Sequence, residues 1–106
     1  MHYPEVPEPL EVGTYDNHTH LEIADGENPM HYLEHLDLAQ QAGMLGAVQV
    51  GVTLESSRWS ASVAATEPRL LAAVAIHPNE APEYGNKLAL DEAIAGIAEL
   101  AKQPRV

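Results

Sequence analysis

The sequence of 106 residues contains no cysteine. This absence excludes disulfide bonds, zinc sites with thiolate ligands and cysteine nucleophiles. Imidazole and carboxylate groups are then the only strong metal ligands available, and the chain carries six histidines and 16 acidic residues. A metal site in this protein must therefore be built from nitrogen and oxygen donors.

Basic side chains are scarce, because five lysines and arginines stand against 16 acidic residues and give a net charge of −11 at pH 7. Such a surface repels the phosphates of a nucleic acid. We therefore exclude a protein that wraps DNA through a basic surface. A nucleic acid substrate would need bound cations to offset the local field.

Long apolar runs are also absent, since no stretch approaches the roughly 18 consecutive apolar residues of a membrane-spanning helix. The N-terminal stretch MHYPEVPEPLEV has neither the basic nor the apolar segment of a signal peptide. We expect a cytoplasmic protein without a membrane partner. With 45% hydrophobic residues, the chain is long enough for one small globular domain.

Residues 1–11 interleave proline with glutamate, with prolines at Pro4, Pro7 and Pro9. This composition favours an extended leader with little packing. We expect the leader to be a tail or a lid. Residues 12–106 are predicted to form the folded unit.

Apolar patterning in the rest of the chain predicts three strands, each followed by a helix. The predicted strands are 12–18, 46–52 and 70–78, and the predicted helices are 28–43, 53–66 and 88–103. The third strand is apolar almost throughout, which predicts that both of its faces are covered. Strands that alternate with helices imply right-handed crossovers and a parallel sheet.

Capping residues set the predicted ends of the first two helices. Asn28 is the expected N-cap of the first helix, Pro29 its first residue and Gly43 its C-terminal stop. Thr53 is the expected N-cap of the second helix, and Glu55 is placed favourably near its N-terminus.

A doubly wound α/β sheet and a TIM (β/α)8 barrel both fit this order of elements. No glycine-rich phosphate loop follows the first strand, which weakens the nucleotide-binding alternative. A full barrel takes about 250 residues, so the chain would hold only the first three βα units of one. The final residues, QPRV, are expected to approach a fourth strand that is then cut off.

The stretch YDNHTHLE, residues 15–22, places two histidines at the end of the first predicted strand. Alternation along a strand predicts that Asp16, His18 and His20 share one face, opposite Thr19. Active sites of barrels and open α/β sheets form at this end of the strands. We therefore predict His18 and His20 as metal ligands, with ordinary surface histidines as the alternative.

A third candidate, His77, follows the apolar third strand at the equivalent end. It is predicted to face the same site, and an ordinary loop histidine is the alternative. His31 and His35 also have a spacing that suits a metal ion on a helix. Because Leu38 and Ala42 lie along the same helical stripe, we expect these two histidines to flank the buried helix face instead.

Three segments together resemble a known family. YDNHTHLE resembles the D-x-H-x-H-L signature of the TatD family of metal-dependent deoxyribonucleases. VGVTLESS is similar to the loop after the family's second strand, and AVAIHPNEAP is similar to its G-x-H-P segment. The segments occur in the family's order, and the similarity covers the chain beyond the leader.

The resemblance implies a TIM-barrel hydrolase that binds one or two divalent metal ions, such as Zn, Mn, Mg or Ni, and cleaves phosphodiester bonds, often in DNA. It implies that His18 and His20 are metal ligands and that His77 is a catalytic residue beside the substrate phosphate. Ala75 stands where glycine is usual and Asn79 where histidine or tyrosine is common.

The resemblance also implies that a bridging glutamate, two further histidine ligands and a catalytic aspartate lie beyond residue 106. We therefore expect this chain to be the N-terminal part of such a barrel and to be inactive alone. We also expect it to require the missing strands or self-association for stability, because open sheet edges and apolar faces are exposed in a partial barrel.

Other classes remain open alternatives. A metal phosphoesterase of the polymerase-and-histidinol-phosphatase type also opens with H-x-H followed by Asp-Gly and a helix. That class usually ends its second strand with Asp-His, where this chain has Gly51 and Val52. An amidohydrolase that cleaves another bond and a non-catalytic α/β interaction module are further alternatives.

Overall fold

A computed structural model describes residues 3–23 and 29–106. Its strands are β1 (Thr14–Thr19), β2 (Met44–Val50) and β3 (Leu70–Ala73), and its helices are α1 (Tyr32–Gln41), α2 (Leu54–Thr66) and α3 (Lys87–Leu100), with a short 3-10 helix at Ala81–Tyr84. The predicted alternation of strands and helices is confirmed. Apart from α1 and β3, the predicted ends are displaced by three residues or fewer.

The three strands form one parallel sheet in the order β1-β2-β3. Pairing between β2 and β3 is regular, from Ala47 beside Leu70 to Val50 beside Ala73. Pairing between β1 and β2 shifts register twice, and the second shift lies between Asp16 and Thr19. Because all strands run the same way, their carboxyl ends meet at one edge of the sheet, which is the edge where functional sites form.

Helix α2 begins as its sequence predicts. The Thr53 hydroxyl accepts a hydrogen bond from the Ser56 N–H at 3.0 Å, and the Ser56 hydroxyl accepts one from the Thr53 N–H at 3.0 Å. This reciprocal pair satisfies two backbone donors that the helix start would otherwise leave unpaired. Glu55 lies in the first turn, where its charge complements the helix dipole.

Helix α1 begins later than predicted. Pro29 lies outside the helix, so its assignment to the first helical position is wrong, and Asn28 lies outside the described residues. The N-cap is His31, whose Nδ1 accepts a hydrogen bond from the Leu33 N–H at 3.3 Å. The C-terminal stop is confirmed, because Gly43 adopts a φ of 98° directly after the helix.

Strand β3 is shorter than its apolar run predicts, since regular pairing stops at Ala73. At Ala75 the Ser57 hydroxyl of α2 takes the place of a neighbouring strand, because it accepts from the Ala75 N–H at 3.1 Å and donates to the Ala75 carbonyl at 3.0 Å. The prediction that both faces are covered is also wrong. Leu71 is 49% exposed, because the described helices cover only one face of the sheet.

The core lies between that covered face and the helices. Its buried members are Leu36, Val63, Ala64, Leu70 and Ala72. Each large aliphatic side chain buried in this way contributes roughly 1.5–3 kcal/mol. The partly buried Trp59 packs against the cluster, so α2 packs on the sheet.

Segments near both ends of the described residues contact the domain. In the leader, the Leu10 N–H donates to the Ala42 carbonyl at 3.1 Å, and the ring of Tyr3 lies edge-on to His35 with 5.9 Å between centroids. Near the C-terminus, the Arg105 carbonyl accepts from the Ala72 N–H of β3 at 2.9 Å. Within residues 3–23 and 29–106, no helix is long and apolar enough to cross a membrane.

Candidate metal centre

The end of β1 brings two imidazole rings into contact. The Nε2 atoms of His18 and His20 are 3.2 Å apart, and the ring planes meet at 81°. His18 is exposed and His20 is partly buried. The structure therefore places these two predicted site residues together.

Asp16 departs from the predicted alternation with Thr19. Its Oδ1 accepts a hydrogen bond from the His18 N–H at 3.0 Å. Asp16 and Thr19, expected on opposite faces, instead line one cavity of about 320 Å³. Simple alternation fails here because the pairing with β2 shifts register between these two residues.

The spacing of the two Nε2 atoms suits a shared metal ion. Two imidazole nitrogens that each lie about 2.0–2.1 Å from a tetrahedral zinc ion are about 3.3 Å from each other. The observed separation between His18 and His20 is 3.2 Å. The pair therefore fits two neighbouring positions of one coordination shell.

His20 is oriented for ligation by a backbone group of β2. Its Nδ1 lies 2.8 Å from the Val50 carbonyl oxygen. A carbonyl can only accept, so Nδ1 carries the proton and Nε2 keeps its lone pair in the neutral ring. Ring nitrogens that ligate metals are held in this way, by a hydrogen bond from the opposite nitrogen.

His18 has the opposite proton arrangement at Nε2. Because Nε2 of His20 is an acceptor, the 3.2 Å contact assigns the donated proton to Nε2 of His18. Ligation through that nitrogen requires the proton to leave or to move to Nδ1. The Nε2 lone pair of His20 is thus available to a ligand, whereas Nε2 of His18 would first have to lose its proton.

His77 lies in the loop after β3 and is exposed. Its backbone N–H donates to the Val52 carbonyl at 2.8 Å, which ties the loop to the residues that follow β2. Its Nδ1 accepts from the Asn79 N–H at 3.0 Å, so the neutral ring carries its proton on Nε2. Nε2 of the neutral His77 ring is therefore a hydrogen-bond donor, whereas Nε2 of the neutral His20 ring carries a lone pair.

These three histidines do not form one cluster. In the part of the chain that the structure describes, no group of three or more His, Asp or Glu side chains is placed to hold a metal ion. His31 caps α1 and His35 contacts Tyr3, so the second histidine pair has structural partners of its own.

A family model described as TatD related DNase matches residues 15–106. The chain belongs to this family. A curated relative from Mycobacterium tuberculosis (strain ATCC 25618 / H37Rv), named "Uncharacterized metal-dependent hydrolase TatD", is 34% identical over 91 residues. The alignment covers 86% of this chain and 33% of the relative, so the chain spans about a third of that protein's length.

The TatD match confirms the resemblance drawn from the three motifs. The packing around Gly51 also argues against the polymerase-and-histidinol-phosphatase alternative. A Cβ atom at Gly51 would lie 2.3 Å from Oγ and 2.6 Å from Cα of Ser57. Any larger residue there, including the aspartate of that class, would collide with the backbone of α2.

Gln49, at this edge of the sheet, was not predicted as a site residue from the sequence. Gln49 is fully buried, and its side chain bonds the residues directly after His20. The available signal was a single amide in the otherwise apolar strand GAVQVGV. A buried amide needs partners, but the sequence does not say which ones.

Proposed function

We propose that the protein acts as a divalent-metal-dependent hydrolase that cleaves phosphodiester bonds, with DNA as the expected substrate. His18 and His20 hold the metal, and His77 contacts the substrate phosphate. The observation that carries the proposal is the 3.2 Å Nε2 pair, in which the Val50 carbonyl fixes the His20 ring. The net charge of −11 supports a role for cations in attracting an anionic substrate.

A bound divalent ion supplies a Lewis acid for a phosphoryl oxygen and lowers the pKa of a coordinated water. His20 keeps its Nδ1 proton on the Val50 carbonyl and presents Nε2 as a ligand. His18 releases or relocates its Nε2 proton to become the second ligand. The pair alone suits Zn, Mn or Ni, and Mg where carboxylates supply the other ligands.

His77 acts on the substrate rather than on the metal in this proposal. The Asn79 N–H occupies its Nδ1, which leaves the Nε2–H as the donor of the neutral ring. A donor directed at a phosphoryl oxygen stabilises charge that develops there in the transition state. The carboxyl ends of β1 and β3 flank that of β2, so His20 and His77 approach the same edge from either side.

The proposed architecture is a TIM (β/α)8 barrel in which the three βα units form one sector. The parallel order of the strands and the open sheet face support it, since Tyr15 is 69% and Leu71 49% exposed there. Further strands or a second copy of the chain would cover that face. Residues 1–106 alone would bind metal weakly, because two imidazoles supply only part of a coordination shell.

The test replaces each proposed ligand in the native protein. His18→Ala and His20→Ala should each lower metal content and reduce turnover of a short oligonucleotide by about a hundredfold or more. His31→Asn is the matched control, because it removes an imidazole but keeps a side chain that caps α1.

Metal content measured by atomic emission decides the outcome. Unchanged metal content in both alanine variants would show that His18 and His20 are ordinary surface histidines and not metal ligands. Hydrolysis of an amide substrate with no cleavage of a phosphodiester would favour the amidohydrolase alternative instead.

A further inference from the structure

The amide of Gln49 is a polar group with no exposure to solvent. Burial of an unpaired amide is unfavourable, so its hydrogen bonds must be satisfied inside the protein. Oε1 accepts from the Leu21 N–H at 2.7 Å. Nε2 donates to the Ser60 hydroxyl at 3.2 Å and to the Glu22 carboxylate. Gln49 thus joins β2 to α2 and to the turn after β1.

The partners of Gln49 permit only one orientation of its amide. The backbone N–H of Leu21 can only donate, so it must face Oε1. The Ser60 hydroxyl gives its own proton to the Ser56 carbonyl at 2.8 Å, so it must accept from Nε2. Reversal of the amide would place Nε2 against the Leu21 N–H and break both of these bonds.

This network holds the residue that follows His20. Gln49 is the strand neighbour of Thr19, which precedes His20. The next residue, Val50, accepts the His20 ring proton at 2.8 Å. Two successive residues of β2 therefore fix His20, one through its ring and the other through the main chain of Leu21.

We propose that Gln49 is a positioning residue for metal binding. Its side chain clamps the Leu21–Glu22 turn onto β2 and thereby keeps the His20 ring on the Val50 carbonyl, with Nε2 available as a ligand. This inference rests on the proposed function, in which His20 binds the metal. The Val50 carbonyl belongs to the main chain, so no substitution can delete it. A substitution of Gln49, in contrast, deletes the side chain that forms the clamp.

The test is Gln49→Met in the native protein, a change that conserves length and volume but removes all three hydrogen bonds. Affinity for Zn²⁺ and for Mn²⁺, measured by titration calorimetry, should weaken by about 10- to 100-fold, the range found when groups that orient metal ligands are lost. Nitrogen NMR of the metal-free protein should show a smaller fraction of the His20 ring with its proton on Nδ1.

Val63→Ala is the control for a purely structural effect. Val63 lies on the same helix as Ser60, is buried in the core and takes part in none of the three hydrogen bonds of the Gln49 amide. This variant should lower the Tm by several degrees. Its metal affinity should stay within about twofold, and its His20 tautomer should be unchanged.

Glu22→Ala is a second variant if Gln49→Met does not fold. Glu22 is partly exposed, and its loss leaves the Leu21 and Ser60 bonds of Gln49 in place. Metal affinity should weaken by about threefold or more, with the same change in the His20 tautomer.

The outcomes separate this inference from the proposed function. If His20→Ala loses metal while the folded clamp variants keep normal affinity and the normal tautomer, Gln49 has no positioning role and the metal site stands. If His18→Ala and His20→Ala both retain metal, the proposed metal site fails, and with it the role of Gln49 in metal binding.

Discussion

The substitution His77→Asn distinguishes two possible roles of His77, a contact with the substrate phosphate and a metal ligand. The His77 Nδ1 accepts the Asn79 N–H at 3.0 Å, and an asparagine side chain has an oxygen that can accept the same bond. The substitution therefore preserves the turn but removes the Nε2–H donor. His77→Ala removes both, so the difference between the two variants measures the contribution of the turn.

The magnitude follows from the role of a single donor. Loss of one hydrogen bond to developing charge in a closed site lowers kcat by about 100- to 1,000-fold. His77 is exposed, and water weakens its electrostatic interactions. We expect a loss of about 1.5 to 4 kcal/mol of transition-state stabilisation, toward the lower end, which corresponds to roughly 10- to 1,000-fold in kcat/KM.

The assay is kcat/KM for a short oligonucleotide and for a chromogenic phosphodiester, with metal content measured on the same preparations. His77→Asn should keep its metal and lose rate. Loss of metal from this variant would make His77 a ligand and refute the assignment from its hydrogen bonds. Unchanged kinetics would make it an ordinary loop histidine.

Two predictions concern the scaffold. Arg69 lowers the pKa of Glu67 below its usual 4.5, chiefly through a side-chain hydrogen bond of 2.8 Å. Ionised Glu67 therefore stabilises the fold above pH 4.5. This contribution is lost as the pH falls through the lowered pKa. Arg69→Gln should therefore lower stability near neutral pH and flatten its acid dependence in urea titrations; parallel pH profiles would contradict this. Gly51→Ala should destabilise by about 1–3 kcal/mol, because its Cβ would lie 2.6 Å from the Ser57 Cα. Gly96→Ala is its control, since it meets only the flexible end of Leu54, and equal Tm values for both variants would contradict the packing argument.

Features that depend on local sequence were predictable from the sequence. The Thr53 cap and the Gly43 stop act within a few residues of chain, so residue type is enough to locate them. The meeting of His18 and His20 also follows from strand geometry, because side chains two residues apart point the same way. The order of strands and helices follows from apolar spacing in the same manner.

Features that depend on a distant part of the chain were not predictable. Asp16 departs from simple alternation because β1 shifts register against β2, a strand about thirty residues later. Strand β3 stops early because Ser57, 18 residues before Ala75, supplies its hydrogen bonds. In both cases the deciding partner comes from another element, and residue type alone does not identify it.

The hydrogen bonds of His20 and His77 show this limit most clearly. The two rings are chemically identical, and Nδ1 of each forms a hydrogen bond with a main-chain group. A carbonyl faces Nδ1 of His20, whereas an N–H faces Nδ1 of His77, so Nε2 is an acceptor in one ring and a donor in the other. Every residue except proline has both backbone groups, and only the fold decides which one a ring meets. Asn79 contacts His77 through its main-chain N–H. A change of the Asn79 side chain that preserves this backbone contact therefore leaves the donor character of His77 intact.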